Sequence, residues 1–194
     1  MADRPYHHGN LRAVLLDEAQ RTLREQGVEQ LSLRDLARQA GVSHAAPRRH
    51  FHDRQALLDA LADAGFARLA DELCAAIADA SEDYEARLRA AATAYLRFAI
   101  DDGALLDLMF ATKNASGPTA LPASATRLFT AIGDLISQGQ EVDALPPGDP
   151  ARLRLLLVAT LQGIAALITS GRADPGQSHD LIADTVALFT RDRH

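Results

Sequence analysis

The residues best suited to chemistry lie in one short segment that reads SLRDLARQAGVSHAAPRRHF over positions 32–51. The second half of this segment, with the residue after it, concentrates cationic and titratable side chains: His44, Arg48, Arg49, His50 and His52. Such side chains are poor core residues, but they suit hydrogen bonds to phosphates and to base edges. The segment therefore indicates contact with double-stranded DNA.

Two short helices on either side of Gly41 are expected to position these side chains. Ser32 and Asp35 form a start resembling a capping box for the first helix. Gly41 permits a sharp turn, and a second short helix is predicted from Ser43. Pro47 falls in the first turns of this second helix and should distort or shorten it. The spacing is that of a helix-turn-helix motif, whose second helix enters the major groove.

The rest of the chain predicts further helices. Ala and Leu dominate, and no segment alternates apolar and polar residues for long enough to indicate strands. The first helix is predicted to start at Asn10 and to end at Gly27 in the left-handed conformation. Six more are predicted at about 53–80, 83–101, 103–113, 120–139, 149–171 and 178–192. The expected fold is all-α, with about nine helices.

Composition limits the classes of protein. The chain has 194 residues and a net charge of −6. Its single Cys excludes a disulfide framework and a Cys-rich zinc site. Residues 1–60 hold nine Arg against eight acidic residues, whereas the remainder holds eleven Lys or Arg against eighteen. The acidic total argues against non-specific coating of nucleic acid but allows a basic head on an acidic body. No secretory signal or membrane span is recognised, so a cytoplasmic protein is expected.

Catalytic and metal-binding motifs are not found. The sequence has neither of the common phosphate-binding glycine motifs, and it has no nucleophile elbow. The pairs His7-His8 and His50-x-His52 do not aim two rings at one ion, and no Cys or carboxylate completes either set. We therefore expect no enzyme activity, no cofactor and no metal.

At the level of motifs, residues 11–69 resemble the DNA-binding domain of the TetR family of bacterial repressors. The matching stretches are TL at 22–23, Gly27, LSLRDLA at 31–37, AGVS at 40–43, HF at 50–51, DR at 53–54 and LL at 57–58. YHHGNLR at 6–12 resembles a subgroup with a WHG-type C-terminal domain. Arg48 stands where the family usually has Tyr, and Gln162-Gly163 stands where the subgroup has His-Gly.

The resemblance implies a helix-turn-helix head over 8–68 and an effector-binding and dimerisation domain over 69–194. Helix starts at Ser32 and Ser43 would attract phosphate, whereas His44 would face base edges and Ala45 thymine methyl groups. The full set of predicted DNA contacts is Ser32, Arg34, Ser43, His44, Ala45, Arg48, Arg49, His50 and Arg54.

The C-terminal part is expected to hold a small-molecule pocket and a dimer interface. The predicted pocket residues are Tyr95, Phe98, Leu105, Met109, Phe110 and Gln162. The predicted interface residues are Leu156, Ala159, Gly163, Leu167, Leu181, Thr185 and Leu188, because a helix that is apolar nearly all round needs cover from a second subunit.

The resemblance implies a homodimeric repressor that binds a palindromic operator and is released by a small-molecule effector. Two alternatives stay open. One is a DNA-binding activator or a regulator that ignores small molecules. The other is a helical small-molecule-binding protein that has lost DNA binding.

Overall fold

The computed structural model describes the backbone of residues 11–115 and 122–190, and the side chains of the same residues apart from 112–115. These residues form eight α-helices and no strand: α1 (Leu11–Gln26), α2 (Leu33–Gln39), α3 (Arg54–Asp79), α4 (Tyr84–Asp101), α5 (Gly103–Ala115), α6 (Ala123–Glu141), α7 (Pro150–Thr169) and α8 (Ser178–Phe189). Three short 3-10 helices span Val28–Gln30, Pro47–Arg49 and Pro175–Gln177. The all-α prediction is confirmed. The predicted cap Asn10 and the pair His7-His8 lie outside the described residues.

Local hydrogen bonds explain the ends of α2. Ser32 caps its start, since the Ser32 hydroxyl accepts from the Asp35 backbone N–H at 3.1 Å. At its other end, Gly41 has φ of 67°, and the backbone N–H of Val42 bonds to the Ala37 carbonyl at 2.9 Å. This pattern is a Schellman cap, in which glycine supplies the positive φ. The predicted turn after α2 is therefore confirmed.

Gly27 was also predicted to end a helix in the left-handed conformation. Its φ of 84° is positive as expected, but its ψ of 170° lies outside the left-handed helical region. The Gly27 N–H makes the last helical bond of α1, to the Leu23 carbonyl at 3.0 Å, and the non-helical conformation of Gly27 ends the helix there.

The short helix predicted to start at Ser43 is not an α-helix. A turn at residues 44–46 leads into the 3-10 helix Pro47–Arg49. Pro47 has no N–H to donate to the Ser43 carbonyl, which instead accepts from Ala46 at 3.0 Å, three residues on. The predicted distortion by Pro47 is thus observed, and it extends to the whole segment.

The chain divides into two compact units. The first, the head unit, comprises the chain up to Gly65 together with the stretch from Ala104 that contains most of α5. The second, the body unit, comprises Phe66–Gly103 and the chain from α6 onward. Because α5 groups with the head, the head unit is not continuous in sequence. The predicted domain boundary after residue 68 stays a prediction.

Each unit has its own apolar core. In the head unit Leu15, Leu36, Phe51 and Leu57 are almost fully buried. In the body unit α4 packs against α7 and α8, and α6 packs against α7. Asp83 and Asp149 cap the starts of α4 and α7 with side-chain bonds to backbone N–H groups.

Candidate nucleic-acid interface

Three exposed arginines define the candidate surface of the head unit. Arg34 lies in the first turn of α2, and Arg48 and Arg49 lie in the 3-10 helix that follows it. None of the three forms an ion pair or side-chain hydrogen bond with a described residue. Unpaired guanidinium groups on a surface can make bidentate contacts to phosphate or to guanine.

The remaining predicted contacts of the turn are exposed too. Ser43, His44, Ala45 and His50 lie at the surface around the same 3-10 helix. Pro47, which is not one of the predicted contacts, is buried and so anchors the segment to the head. The Arg12 guanidinium lies 5.4 Å from the centre of the Phe51 ring, which fixes the end of the segment against α1.

The structure changes the reasons given for the two serines. The Ser32 hydroxyl donates to an Asp35 carboxylate oxygen at 2.6 Å, so its hydrogen is already engaged. Ser43 starts no α-helix, and the helix-dipole argument for phosphate binding does not apply to it. Contacts of both residues with DNA stay predictions.

Arg54 has a structural role that its sequence position does not reveal. Its Nε donates to the Leu31 carbonyl at 2.9 Å and its Nη2 to the Val28 carbonyl at 2.6 Å. The side chain thus joins the start of α3 to the connection between α1 and α2. Its predicted contact with DNA stays a prediction.

Carboxylates next to this surface are mostly engaged. Asp35 accepts from Arg38 at 2.9 Å, and Asp53 pairs with His52 at 3.2 Å while capping the backbone N–H of Ala56. Since these acids already have cationic or N–H partners, they repel an approaching phosphate less than free carboxylates would.

The six residues predicted to form a pocket are divided between the two units. Leu105, Met109 and Phe110 belong to the head unit, where Leu105 and Met109 pack closely against Gly65. Tyr95, Phe98 and Gln162 belong to the body unit. Their role in binding a ligand stays a prediction.

Tyr95 is buried with an unsatisfied hydroxyl. Its side chain is 2% exposed, and burial raises its pKa to about 12, a shift that the side chain of Gln162 opposes. Although Gln162 is close enough to affect the pKa, the hydroxyl completes no hydrogen bond of normal geometry with a described residue. A buried donor of this kind can be satisfied by a ligand.

The head unit contains a cavity that was not predicted from the sequence. It has a volume of about 370 Å³ and lies between the end of α1, the start of α3 and α5. None of the six predicted pocket residues lines it. Its walls come from positions as distant as Leu23 and Ala111, so no local pattern indicates it.

A cluster of charges fastens α3 to α4 within the body unit. Arg68 pairs with the buried Asp102 and lies 3.5 Å from the Glu72 carboxylate, while its guanidinium stacks 4.4 Å from the centre of the Phe98 ring. Arg97 adds a contact to Glu72 at 3.8 Å. This arrangement assigns Phe98 a packing role beneath an arginine. Among the described side chains, no three His, Cys, Asp or Glu residues are close enough to hold a metal ion.

Most of the predicted interface residues on α7 and α8 are exposed. Leu156, Leu167 and Leu188 are 49%, 44% and 83% exposed, and Ala159 and Gly163 lie on the same side of α7 as the first two. Leu181 is half-buried. Thr185 does not share this surface, because it is 3% exposed and its hydroxyl donates to the Leu181 carbonyl at 2.7 Å.

By length and hydropathy, α7 is the one helix in the described ranges that could cross a membrane. Its apolar window has a mean hydropathy of 1.6 and is 28% buried. One such helix is weak support for a membrane span, because apolar helices of soluble proteins meet the same criterion.

Comparisons with known proteins identify both parts of the chain. Residues 15–61 match the family model described as bacterial regulatory proteins, tetR family. Residues 88–189 match a model described as a tetracyclin repressor-like C-terminal domain. The WHG-type subgroup stays a prediction. No curated protein matches the sequence.

Solved structures share the fold over nearly the whole chain. A protein of unknown function from Rhodococcus sp. RHA1 is 42% identical, with a TM-score of 0.86 over 96% of this chain and 97% of its own. A TetR-family transcriptional regulator from Pectobacterium atrosepticum is 26% identical, with a TM-score of 0.63 over 91% and 89%. The fatty acid degradation regulator FadR from Bacillus halodurans is 17% identical, with a TM-score of 0.70 over 94% and 96%.

Replacing Arg54 should reveal its structural role. Arg54→Gln removes charged donors to the Leu31 and Val28 carbonyls, and we expect the free energy of unfolding to fall by about 1–3 kcal/mol. Arg34→Gln is the matched control, since Arg34 has no such partners, and it should stay within about 0.5 kcal/mol of wild type. Urea unfolding followed by circular dichroism measures both. Equal stability of the two variants would contradict this role.

Tyr95→Phe should stabilise the protein and change its response to alkali. Removal of an unsatisfied buried hydroxyl should raise the free energy of unfolding by about 1 kcal/mol at pH 7. The folded-state pKa lies above the ordinary value of 10.0. Ionisation of Tyr95 is therefore harder in the folded protein than in the unfolded chain. As a result, the free energy of unfolding of the wild type is unaffected by this group below pH 10 and falls as the pH rises toward 12.

This loss should be smaller in Tyr95→Phe, whereas the contribution of Tyr84, whose pKa is also raised by burial, remains in both proteins. Urea titrations between pH 7 and pH 12 measure the difference. Parallel stability profiles for the two proteins would refute the assignment.

Proposed function

The chain belongs to the TetR family of bacterial regulatory proteins, and we propose that it is a homodimeric repressor that a small molecule releases from a palindromic operator. The observation that carries the proposal is the group of three exposed arginines at the helix-turn-helix, Arg34, Arg48 and Arg49, whose side chains pair with no described residue. Membership of the family supports DNA binding and regulation of transcription in general. Repression, the dimer and release by a ligand are the finer parts of the proposal.

The head unit supports DNA binding through the chemistry of its surface. Arg34 is in position to reach the phosphate backbone from the start of α2. Arg48 and Arg49 project from a 3-10 helix rather than from an α-helix, so consecutive arginines diverge by about 120° instead of about 100°. We assign one of the pair to phosphate and the other to a base edge. His44 and Ala45 complete the contacts to the operator.

The body unit supports a dimer through an uncovered apolar face. We define the α7/α8 face as Leu156, Ala159, Gly163, Leu167 and Leu188, which are exposed in the single chain. A methyl group added at Gly163 would meet no atom within 4 Å, so another helix has room to approach closely. A two-fold dimer through this face presents two heads to a palindrome, with half-sites about 34–36 Å apart.

We place the response to ligand in a change of spacing between the two heads. A ligand that favours a spacing other than that of the operator lowers DNA affinity by the difference between its affinities for the two states. Couplings of this kind are typically about 1–3 kcal/mol. The unsatisfied Tyr95 hydroxyl and the nearby Gln162 supply one candidate ligand contact in the body unit. Cytoplasmic location follows from the proposed function.

DNA affinity tests the role of Arg49. If Arg49 reads a guanine, Arg49→Ala should cost about 1–3 kcal/mol on a duplex enriched by wild type from a random pool, and much less on an unselected duplex. Fluorescence anisotropy at several salt concentrations measures both affinities. Arg172→Ala, in the exposed turn after α7, is the matched control and should bind as wild type does.

Equal losses on both duplexes, with a salt slope smaller by about 1, would show that Arg49 contacts phosphate instead. Failure of the wild type to enrich any duplex would refute the proposed function itself.

The α7/α8 face is tested by placing a charge in it. Leu188→Glu should weaken the dimer at least about tenfold, because a carboxylate would be buried without a partner. Val142→Glu is the matched control, since Val142 is 50% exposed at the end of α6 and outside this face. Sedimentation equilibrium at micromolar concentrations measures the dissociation constants. A monomeric wild type, or equal weakening by both variants, would contradict the interface.

A further inference from the structure

The cavity in the head unit has the properties of a small-molecule site. Its volume of about 370 Å³ falls within the usual range for ligand pockets, about 300–1,000 Å³. Leu23, Val28 and Leu58 provide apolar walls from α1, the 3-10 helix after it and α3. Leu23 and Leu58 are also core residues, so a ligand here would contact the interior of the head directly.

One face of α5 forms the opposite wall. Its lining residues Ala104, Asp107, Leu108 and Ala111 fall at i, i+3, i+4 and i+7, which places them on one side of a helix. The two alanines have short side chains, and the cavity occupies the space that larger residues would fill. The walls from α1, α3 and α5 all belong to the head unit.

The polar groups of the cavity select the charge of its occupant. Asp107 is exposed and has no hydrogen bond or ion pair with a described residue. The Gln55 amide nitrogen donates to Asp59 at 2.8 Å, which leaves its carbonyl oxygen as an acceptor. No Arg, Lys or His is among the lining residues that the structure describes. The cavity thus offers acceptors and a negative charge to a ligand.

We propose that this cavity binds a small organic cation with an apolar body, whose ammonium group lies against the Asp107 carboxylate. The apolar part packs between Leu58 and the alanines of α5. This site is separate from the Tyr95 and Gln162 contact in the body unit. It adds to the proposed function, and its test uses no DNA, so either proposal can fail without the other.

Three probes with the same apolar body test the proposal: protonated 4-phenylbutylamine, 4-phenylbutan-1-ol and 4-phenylbutanoate. Isothermal titration into the full chain at pH 7 should give the tightest binding for the amine, by about three- to tenfold over the alcohol. The carboxylate should bind most weakly, because it meets Asp107 as a like charge.

Two variants locate the binding. Asp107→Asn should remove the preference for the amine, whereas Asp17→Asn, which removes an exposed carboxylate from α1 outside the cavity, should keep it. Ala111→Phe should weaken all three probes by filling the cavity, and Ala104→Phe serves the same purpose if the first variant fails to fold. Thermal unfolding confirms that each variant is folded.

The proposal is overturned if the carboxylate binds as tightly as the amine, or if Asp107→Asn keeps the wild-type order of affinities. Absence of binding by all three probes also overturns it, since the amine supplies both the charge and the apolar body that the proposal requires.

Discussion

The cationic surface of the head depends on a hydrogen bond that cannot form. Pro47 has no N–H, so the Ser43 carbonyl accepts from Ala46 and the segment tightens into a turn and a 3-10 helix. The Pro47 ring is buried, which turns the adjacent Arg48 and Arg49 outward. An aromatic residue at position 48 would add packing, but the buried proline already anchors the segment. The unusual arginine is therefore compatible with an intact head, and it adds an exposed positive charge to this surface.

Local chemistry made α2 and its turn predictable from sequence. The Ser32 cap and the positive φ of Gly41 depend only on residues a few positions apart. The bonds of Arg54 to the carbonyls of Leu31 and Val28 join residues 23 and 26 positions apart, and no local sequence pattern predicts them. The same limit explains why the structural bonds of Arg54 and the head cavity were not predicted from the sequence.

The hydrophobic pattern predicted α7, but it could not show which side of the helix is buried and which is exposed. A helix that is apolar nearly all round gives no sign of which side its own chain covers. Here α4, α6 and α8 pack against α7, and Leu157 and Leu161 are buried whereas Leu156 and Leu167 remain exposed. Thr185 shows the limit of the same reasoning, because its spacing matched the predicted interface although it lies in the core.

The path of the chain passes between the two units close to two features that local pattern did not predict. It leaves the head unit within α3, after Gly65, and returns at Ala104, one residue after α4 and α5 meet. Just before this point, in the body unit, Asp102 pairs with Arg68. Just after it, in the head unit, Ala104 begins the α5 face that lines the cavity. Asp102 and Ala104 are two residues apart in the sequence. Asp102 caps the end of α4 and the cavity wall begins on α5, so the two features lie on different helices although they are neighbours in sequence.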